Sequence, residues 1–84
     1  MSREEIEEIN PEALLCDGFD EAIIGLAERI NLGPVVAYDV DKMLKIMVER
    51  DGMSYEDAME YFDYNILGAW MGENTPVYIQ TYRI

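Results

Sequence analysis

The stretch of residues 35–69 constrains the fold most, because its hydrophobic period changes from that of a strand to that of helices. The run VVAY at residues 35–38, with two β-branched valines and a tyrosine, is typical of a buried strand. The apolar residues then recur at helical spacing over residues 39–49, which begin with an aspartate suited to an N-cap. Gly52 ends this helix and Ser54 caps a second one.

The two predicted helices are joined by a short connection, so they should form an αα-hairpin with one apolar face each. Asp41 and Lys45 lie four residues apart on the first helix, in the order that favours an ion pair. The residues predicted to face inward are Val40, Met43, Leu44, Met47 and Val48 in the first helix and Tyr55, Ala58, Met59, Phe62, Ile66 and Ala69 in the second.

The N-terminal residues have a helical pattern of their own. Ser2 and Glu5 form a capping box for a short first helix. Asn10 and Pro11 are typical of an N-cap and a first helical residue, so a brief helical turn is predicted through residues 13–16.

Two further stretches predict strands. Residues 19–30 fit either a helical stripe or a buried strand, and we choose a strand over residues 22–27 because its β-branched run leads through a turn into the strand at residues 35–38. Residues 77–82 alternate in the manner of a terminal strand. The predicted fold is therefore α+β: a small three-stranded sheet in ββααβ order, covered on one face by the αα-hairpin, with a short helical N-terminus.

The length of 84 residues suits one domain. It would comprise a helical segment over residues 1–18 and the ββααβ core over residues 19–84. Cys16 is the only cysteine, which excludes an intramolecular disulfide and favours a reducing cytoplasm. No stretch has the pattern of a signal peptide or the length of a membrane span, so we expect a cytoplasmic protein.

The net charge of −12 at pH 7 limits the possible partners. A negative field repels nucleic-acid phosphates and anionic lipid head groups, so we expect neither direct nucleic-acid binding nor membrane binding. A protein with a basic surface is the electrostatically favoured partner. The charge also has a simpler interpretation, in which it only keeps the chain dispersed.

The chemistry for catalysis is sparse. The chain has no histidine, which removes the commonest general base, the usual zinc ligand and every histidine-activated nucleophile. No glycine-rich phosphate loop is present, and Cys16 is interpreted as a small buried thiol. The glutamates of the second helix cannot surround a metal ion from one face, because hard cations take six or more oxygen ligands. We therefore expect no catalytic residue, no cofactor and no metal site.

The acidic face of the second helix is the first candidate for partner binding. Carboxylates one helical turn apart are separated by about 5–6 Å, which is within an ångström or two of the phosphate spacing along a nucleic-acid strand. Together with neighbouring tyrosines, such a face could occupy a basic groove that normally holds DNA or RNA. The alternative is that the acids only face water. The candidate residues are Glu56, Asp57, Glu60, Asp63 and Tyr64, with Tyr61 beside them.

A second candidate surface follows the second helix. Trp70, Met71 and Glu73 lie near two glycines and could form an exposed contact for a partner or for a second copy of the chain. Asn65 is predicted on or beside the buried face, where its amide would bind the backbone of residues 72–75 and join the helix end to the last strand.

Five segments of the chain form a recognisable set: VAYD at residues 36–39, ERDGMSYEDA at 49–58, EYFDYN at 60–65, GAW at 68–70 and GENTP at 72–76. Together they resemble a family of short uncharacterised proteins encoded in bacterial and phage genomes. The resemblance covers roughly residues 11–80 and carries no assigned activity, so it implies no catalytic residues. It does imply a phage or mobile-element setting, in which small acidic proteins often inhibit host defence enzymes.

The sequence leaves three hypotheses for function. The first is a non-enzymatic acidic module that binds a protein partner and mimics nucleic acid. The second is a self-associating structural or accessory protein, such as a homodimer that uses Trp70, Met71 and the last strand. The third is a carboxylate-based enzyme or a protein that binds a divalent metal.

Overall fold

The computed structural model describes residues 1–81, and its elements follow the predicted order. That order is a helical N-terminus, two strands, two helices and a last strand. In chain order the elements are α1 (Arg3–Ile9), a 3₁₀ turn (Asp20–Ala22), β1 (Ile23–Arg29), β2 (Leu32–Asp39), α2 (Val40–Asp51), α3 (Tyr55–Tyr61), the π-segment that continues α3 (Phe62–Leu67) and β3 (Val77–Ile79).

The three strands form one mixed sheet in the order β1-β2-β3. β1 and β2 are antiparallel and are joined by a two-residue turn, in which Asn31 has a φ of 61°. Asparagine tolerates this left-handed conformation better than most residues do. β2 and β3 are parallel, which requires a long crossover, and the helical hairpin supplies it.

The core lies between the sheet and the helical hairpin. Successive side chains of a strand point to opposite faces, and Val36 and Tyr38 of β2 point toward the helices. Val35 and Ala37, on the other face, are also buried. The buried cluster between sheet and helices contains Ile6, Phe19, Ala22, Val36, Tyr38, Val40, Met43, Leu44, Met47, Ala58, Phe62 and Ile66.

The predicted helix boundaries are confirmed by their caps. Ser2 and Glu5 form the capping box of α1. The side chain of Asp39 accepts a hydrogen bond from the Lys42 backbone N–H at 3.2 Å and begins α2. Gly52 ends α2 in the left-handed conformation, with a φ of 68°.

Several details of the sequence prediction are wrong. Residues 13–16 are not helical, because their backbone groups bind elsewhere: Leu14 N–H donates to the Asn74 carbonyl at 3.2 Å and Cys16 N–H donates to the Tyr38 hydroxyl at 2.7 Å. Tyr55 and Met59 do not face the core and are 56% and 39% exposed. Another detail is the predicted Asp41–Lys45 ion pair, which is not among the ion pairs of residues 1–81.

The ambiguous stretch and the last strand are resolved as strands with shifted boundaries. Residues 20–22 form a 3₁₀ turn, and β1 follows directly, so the choice of a strand over a helix is confirmed. β3 ends at Ile79, three residues before the predicted end, and the predicted strand residue Tyr82 lies outside the described residues. No helix of residues 1–81 has the length and apolar character that crossing a membrane requires.

Candidate functional site

The predicted acidic surface lies on α3 and the π-segment. The Ser54 hydroxyl accepts a hydrogen bond from Asp57 N–H at 3.1 Å and fixes the start of α3. Ala58, Phe62 and Ile66 anchor the opposite side of this helix in the core. As a result the predicted contact residues are all exposed to solvent, and we call them the acidic face: Glu56, Asp57, Glu60, Asp63 and Tyr64.

The helix changes from α to π within this face, between Tyr61 and Phe62. In the π-segment the carbonyl of residue i accepts a hydrogen bond from the N–H of residue i+5. Tyr61 and Phe62, which precede Asp63, still have α-helical backbone angles (φ −60°, ψ −45° and φ −59°, ψ −49°), so the helical spacing predicted from Glu56 to Asp63 is kept and the wider turn follows Asp63. Gly68 closes the segment by donating its N–H to the Asp63 carbonyl at 3.1 Å. A Cβ at Gly68 would lie 3.1 Å from that same oxygen, so glycine allows this close approach.

The arginines within residues 1–81 are held by other partners. Arg3 pairs with Asp17 at 3.2 Å and with Asp20 at 2.8 Å. Its hydrogen bond lowers the pKa of the Asp20 carboxyl. Arg50 pairs with Asp51 at 2.9 Å and in the same way lowers the pKa of that carboxyl.

Arg29 and the two lysines are likewise not paired with the acidic face. Arg29 donates from Nε to the Gly33 carbonyl at 2.9 Å and also bonds the Glu73 carbonyl. None of the three ion pairs in the described part of the chain involves Lys42, Lys45 or a carboxylate of the acidic face. The described residues therefore form no ion pair with the carboxylates of the acidic face.

The second predicted surface is also exposed. Trp70 and Met71 are 76% and 68% exposed, and Glu73 is exposed beside them. The loop that carries them is held by its own hydrogen bonds: Met71 N–H donates to the Thr75 hydroxyl at 2.8 Å, and that hydroxyl donates to the Gly72 carbonyl at 2.8 Å. These apolar side chains are thus presented by a turn with internal support.

Asn65 does not have the predicted buried role, because its side chain is exposed. Asn10 provides a connection of this kind instead. Its amide nitrogen donates to the Pro34 carbonyl at 2.8 Å and to Asn74 Oδ1 at 3.3 Å. This link joins the N-terminal segment to the loop before β3. Asparagine before proline indicates only a local helix cap, so the sequence pattern gives no signal for this link.

An apolar cavity of about 260 Å³ lies between the segment at residues 14–19, the π-segment and the loop before β3. The sequence gives no signal for it, since its walls come from separate parts of the chain. Among the residues that line it are Leu14, Phe19, Tyr61, Ile66, Met71 and Tyr78.

A wide, shallow groove of about 380 Å³ lies next to this cavity, on the side of the acidic face. It is lined by Met53, Asp57, Glu60, Tyr61, Tyr64 and Asn65. Tyr61 and Asn65 line both the groove and the cavity. The apolar cavity and the acidic face therefore share a border.

Cys16 lies in the wall of the cavity and contacts the hydroxyl groups of two tyrosines. Its Sγ is 3.4 Å from the Tyr78 hydroxyl, and its backbone N–H binds the Tyr38 hydroxyl. Burial raises the pKa of the Cys16 thiol, raises the pKa of Tyr38 to about 12 and raises the pKa of Tyr78. A raised pKa disfavours the thiolate, which is the nucleophilic form. Cys16 is half-buried, so the predicted buried thiol is only partly enclosed.

No group of three or more cysteine, aspartate or glutamate side chains is arranged to hold a metal ion within residues 1–81. Comparison with known proteins adds no assignment, because no protein-family model, curated protein or solved structure matches the chain. The resemblance to short bacterial and phage proteins therefore stays a prediction.

Proposed function

We propose that this protein is a non-enzymatic binding module that recognises a protein partner with a basic surface. The observation that carries the proposal is the acidic face. Its residues are exposed together on one side of α3 and the π-segment, and no ion pair within residues 1–81 involves their carboxylates. Complementary charge of this kind accelerates association and selects against acidic partners.

The partner class follows from the same charges. A basic surface that accepts Glu56, Asp57 and Glu60 is typical of proteins that handle nucleic acid, so the module would compete with DNA or RNA for that surface. In a phage or mobile-element setting it would act as an inhibitor of a host enzyme. The cytoplasm fits this role, because the single thiol of Cys16 stays reduced there.

Capture from a bacterial lysate with charge variants of the immobilised protein tests the proposal. The test variant carries Glu56→Gln, Glu60→Gln and Asp63→Asn. The matched control removes the same number of charges from exposed positions far along the chain, through Glu4→Gln, Glu8→Gln and Glu12→Gln.

The wild-type and control proteins should retain the same basic protein, and the test variant should lose it. Retention should also weaken as salt is raised, because exposed charges are screened over about 10 Å at 0.1 M. Nucleic acid added as a competitor should displace the captured protein. Equal retention by the test and control variants would contradict the proposal.

Self-association is a second candidate, favoured by the exposure of Trp70 and Met71. Two large apolar side chains on a supported turn, with Glu73 at their edge, are suited to a contact between copies. Because each copy carries −12, such a dimer should strengthen with salt, whereas binding to a basic partner should weaken. The test is a measurement of molecular mass in solution at rising protein concentration. A monomer at all concentrations and salt levels would contradict self-association. A dimer that persists unchanged in Trp70→Ser would contradict a contact through this loop.

A further inference from the structure

We propose that the segment recognised by the acidic face carries one bulky apolar side chain among its basic residues, and that this side chain enters the apolar cavity beside Tyr61. This inference rests on the proposed function and specifies its partner. The occupant is a lysine- or arginine-rich segment of another protein with a phenylalanine or a large aliphatic residue at its centre.

The apolar cavity and the acidic groove are adjacent. Tyr61 and Asn65 border the acidic groove on one side and the apolar cavity on the other. A chain lying along Asp57 and Glu60 therefore passes the mouth of the cavity. A central apolar anchor with a charged surround is the usual arrangement of a protein interface.

The volume of the cavity limits what can occupy it. Sites for small molecules and cofactors usually measure about 300–1,000 Å³, and this cavity measures about 260 Å³. It is below that range and suits a single large side chain. Its exposed wall residue Met71 is flexible and unbranched, and such residues adapt to different apolar shapes.

The charges beside the cavity and the groove favour a basic occupant. The acids beside the two depressions are Asp57 and Glu60 in the groove and Asp17 at the cavity. The side chain of Asp17 is 97% exposed, although it pairs with Arg3 on one side. Neither depression is lined by a lysine or an arginine among residues 1–81. A basic segment would gain favourable electrostatic interactions with these acids, whereas an acidic or neutral segment would not.

Three short synthetic peptides provide the probes. The first is lysine-rich with a single central phenylalanine, the second replaces that phenylalanine with alanine, and the third keeps the phenylalanine but replaces the lysines with glutamine. Each is labelled for fluorescence anisotropy. The emission of Trp70, the only tryptophan of the chain, provides a label-free second signal from the loop beside Met71.

On the wild-type protein, the lysine-rich phenylalanine peptide should bind about tenfold or more tightly than its alanine counterpart, as expected for burial of one aromatic side chain. The glutamine peptide should bind more weakly than either. Glu60→Gln should weaken both lysine-rich peptides by the same factor, and Glu8→Gln, an exposed position in α1, should weaken neither.

Ala69 lines the cavity and offers a way to fill it. Ala69→Leu should abolish the advantage of phenylalanine over alanine while leaving binding of the alanine peptide unchanged, and Ala69→Ser should keep the advantage. Circular dichroism checks that both variants fold. The comparison of the two peptides on the wild-type protein stands even where a variant does not fold.

The outcomes separate the two proposals. Equal binding of the phenylalanine and alanine peptides to the wild-type protein, with loss in Glu60→Gln, overturns the cavity inference and leaves the proposed function standing. Failure of both lysine-rich peptides to bind contradicts the proposed function and the inference with it. Binding of the glutamine peptide as tightly as the lysine-rich one overturns the assignment of a basic occupant.

Discussion

Replacing Ile6 with alanine should destabilise the whole domain, although Ile6 lies in a helix of only seven residues near the N-terminus. A helix this short is marginal in water by itself, so α1 depends on tertiary contacts. Ile6 is 1% exposed and is the only residue of α1 that is buried in the core cluster. The pairing of Arg3 with Asp17 and Asp20 is exposed and contributes roughly 0–1 kcal/mol. The C-cap residue Asn10 holds the end of α1 through its amide bonds to Pro34 and Asn74, but it buries no apolar side chain of the helix.

The magnitude follows from the atoms removed. Isoleucine to alanine deletes three carbons, each worth about 0.8 kcal/mol when buried, and the remaining cavity raises the cost into the range of about 2–5 kcal/mol. The higher helix propensity of alanine returns roughly 0.4 kcal/mol. We expect a loss of about 2–4 kcal/mol, against a total of roughly 4–12 kcal/mol for a chain of this length.

Ile9 provides the matched control, because it is the same residue type on the same helix and is 53% exposed. Ile9→Ala should change the free energy of unfolding by less than about 0.5 kcal/mol. Both variants are measured by urea unfolding followed by circular dichroism. Equal values for Ile6→Ala and Ile9→Ala would refute the reasoning, since they would mean that α1 is not part of the cooperative core.

Two further predictions concern a buried hydroxyl and a left-handed glycine. Tyr38 is fully buried and burial raises its pKa to about 12, which is about two pH units above the pKa of an exposed tyrosine. As the pH rises, the hydroxyl therefore ionises in the unfolded chain before it ionises in the folded protein. The free energy of unfolding should fall by roughly 2 kcal/mol between pH 10 and 12. Tyr38→Phe should flatten that decrease in urea unfolding, and an unchanged pH slope would contradict the assignment. Gly52→Ala should cost about 1–2 kcal/mol through backbone strain alone, because an added Cβ meets open space at a φ of 68°. Gly25→Ala, where the Cβ also meets open space without a positive φ, is the control and should not show this cost in thermal unfolding.

Local patterns predicted much of the fold. The caps at Ser2, Asp39 and Ser54 and the left-handed end at Gly52 each depend on residues within one helical turn, and the structure has all four. The acidic face is also where the helical period puts it, because charged residues on one side of an amphipathic helix stay in water wherever the other side is buried.

Tertiary structure decided the features that depend on how separate segments meet. Tyr55 and Met59 fit the apolar stripe of the helix but remain exposed. The helical period of the sequence shows which residues share one side of a helix, but it does not show how much of that side the neighbouring elements cover. The chain before β1 follows an irregular path because Leu14 binds Asn74, which is 60 residues away, and Cys16 binds Tyr38.

The sequence by itself determined the order of the elements, the ends of the helices and the sign of the exposed charge, because short-range sterics, backbone capping and side-chain ionisation depend on nearby residues. Only the tertiary structure decided the mixed sheet, the change to a π-helix at Phe62 and the apolar cavity beside Tyr61. These last features arise where segments distant in sequence pack together, and their geometry depends on the shapes of all the surfaces that meet.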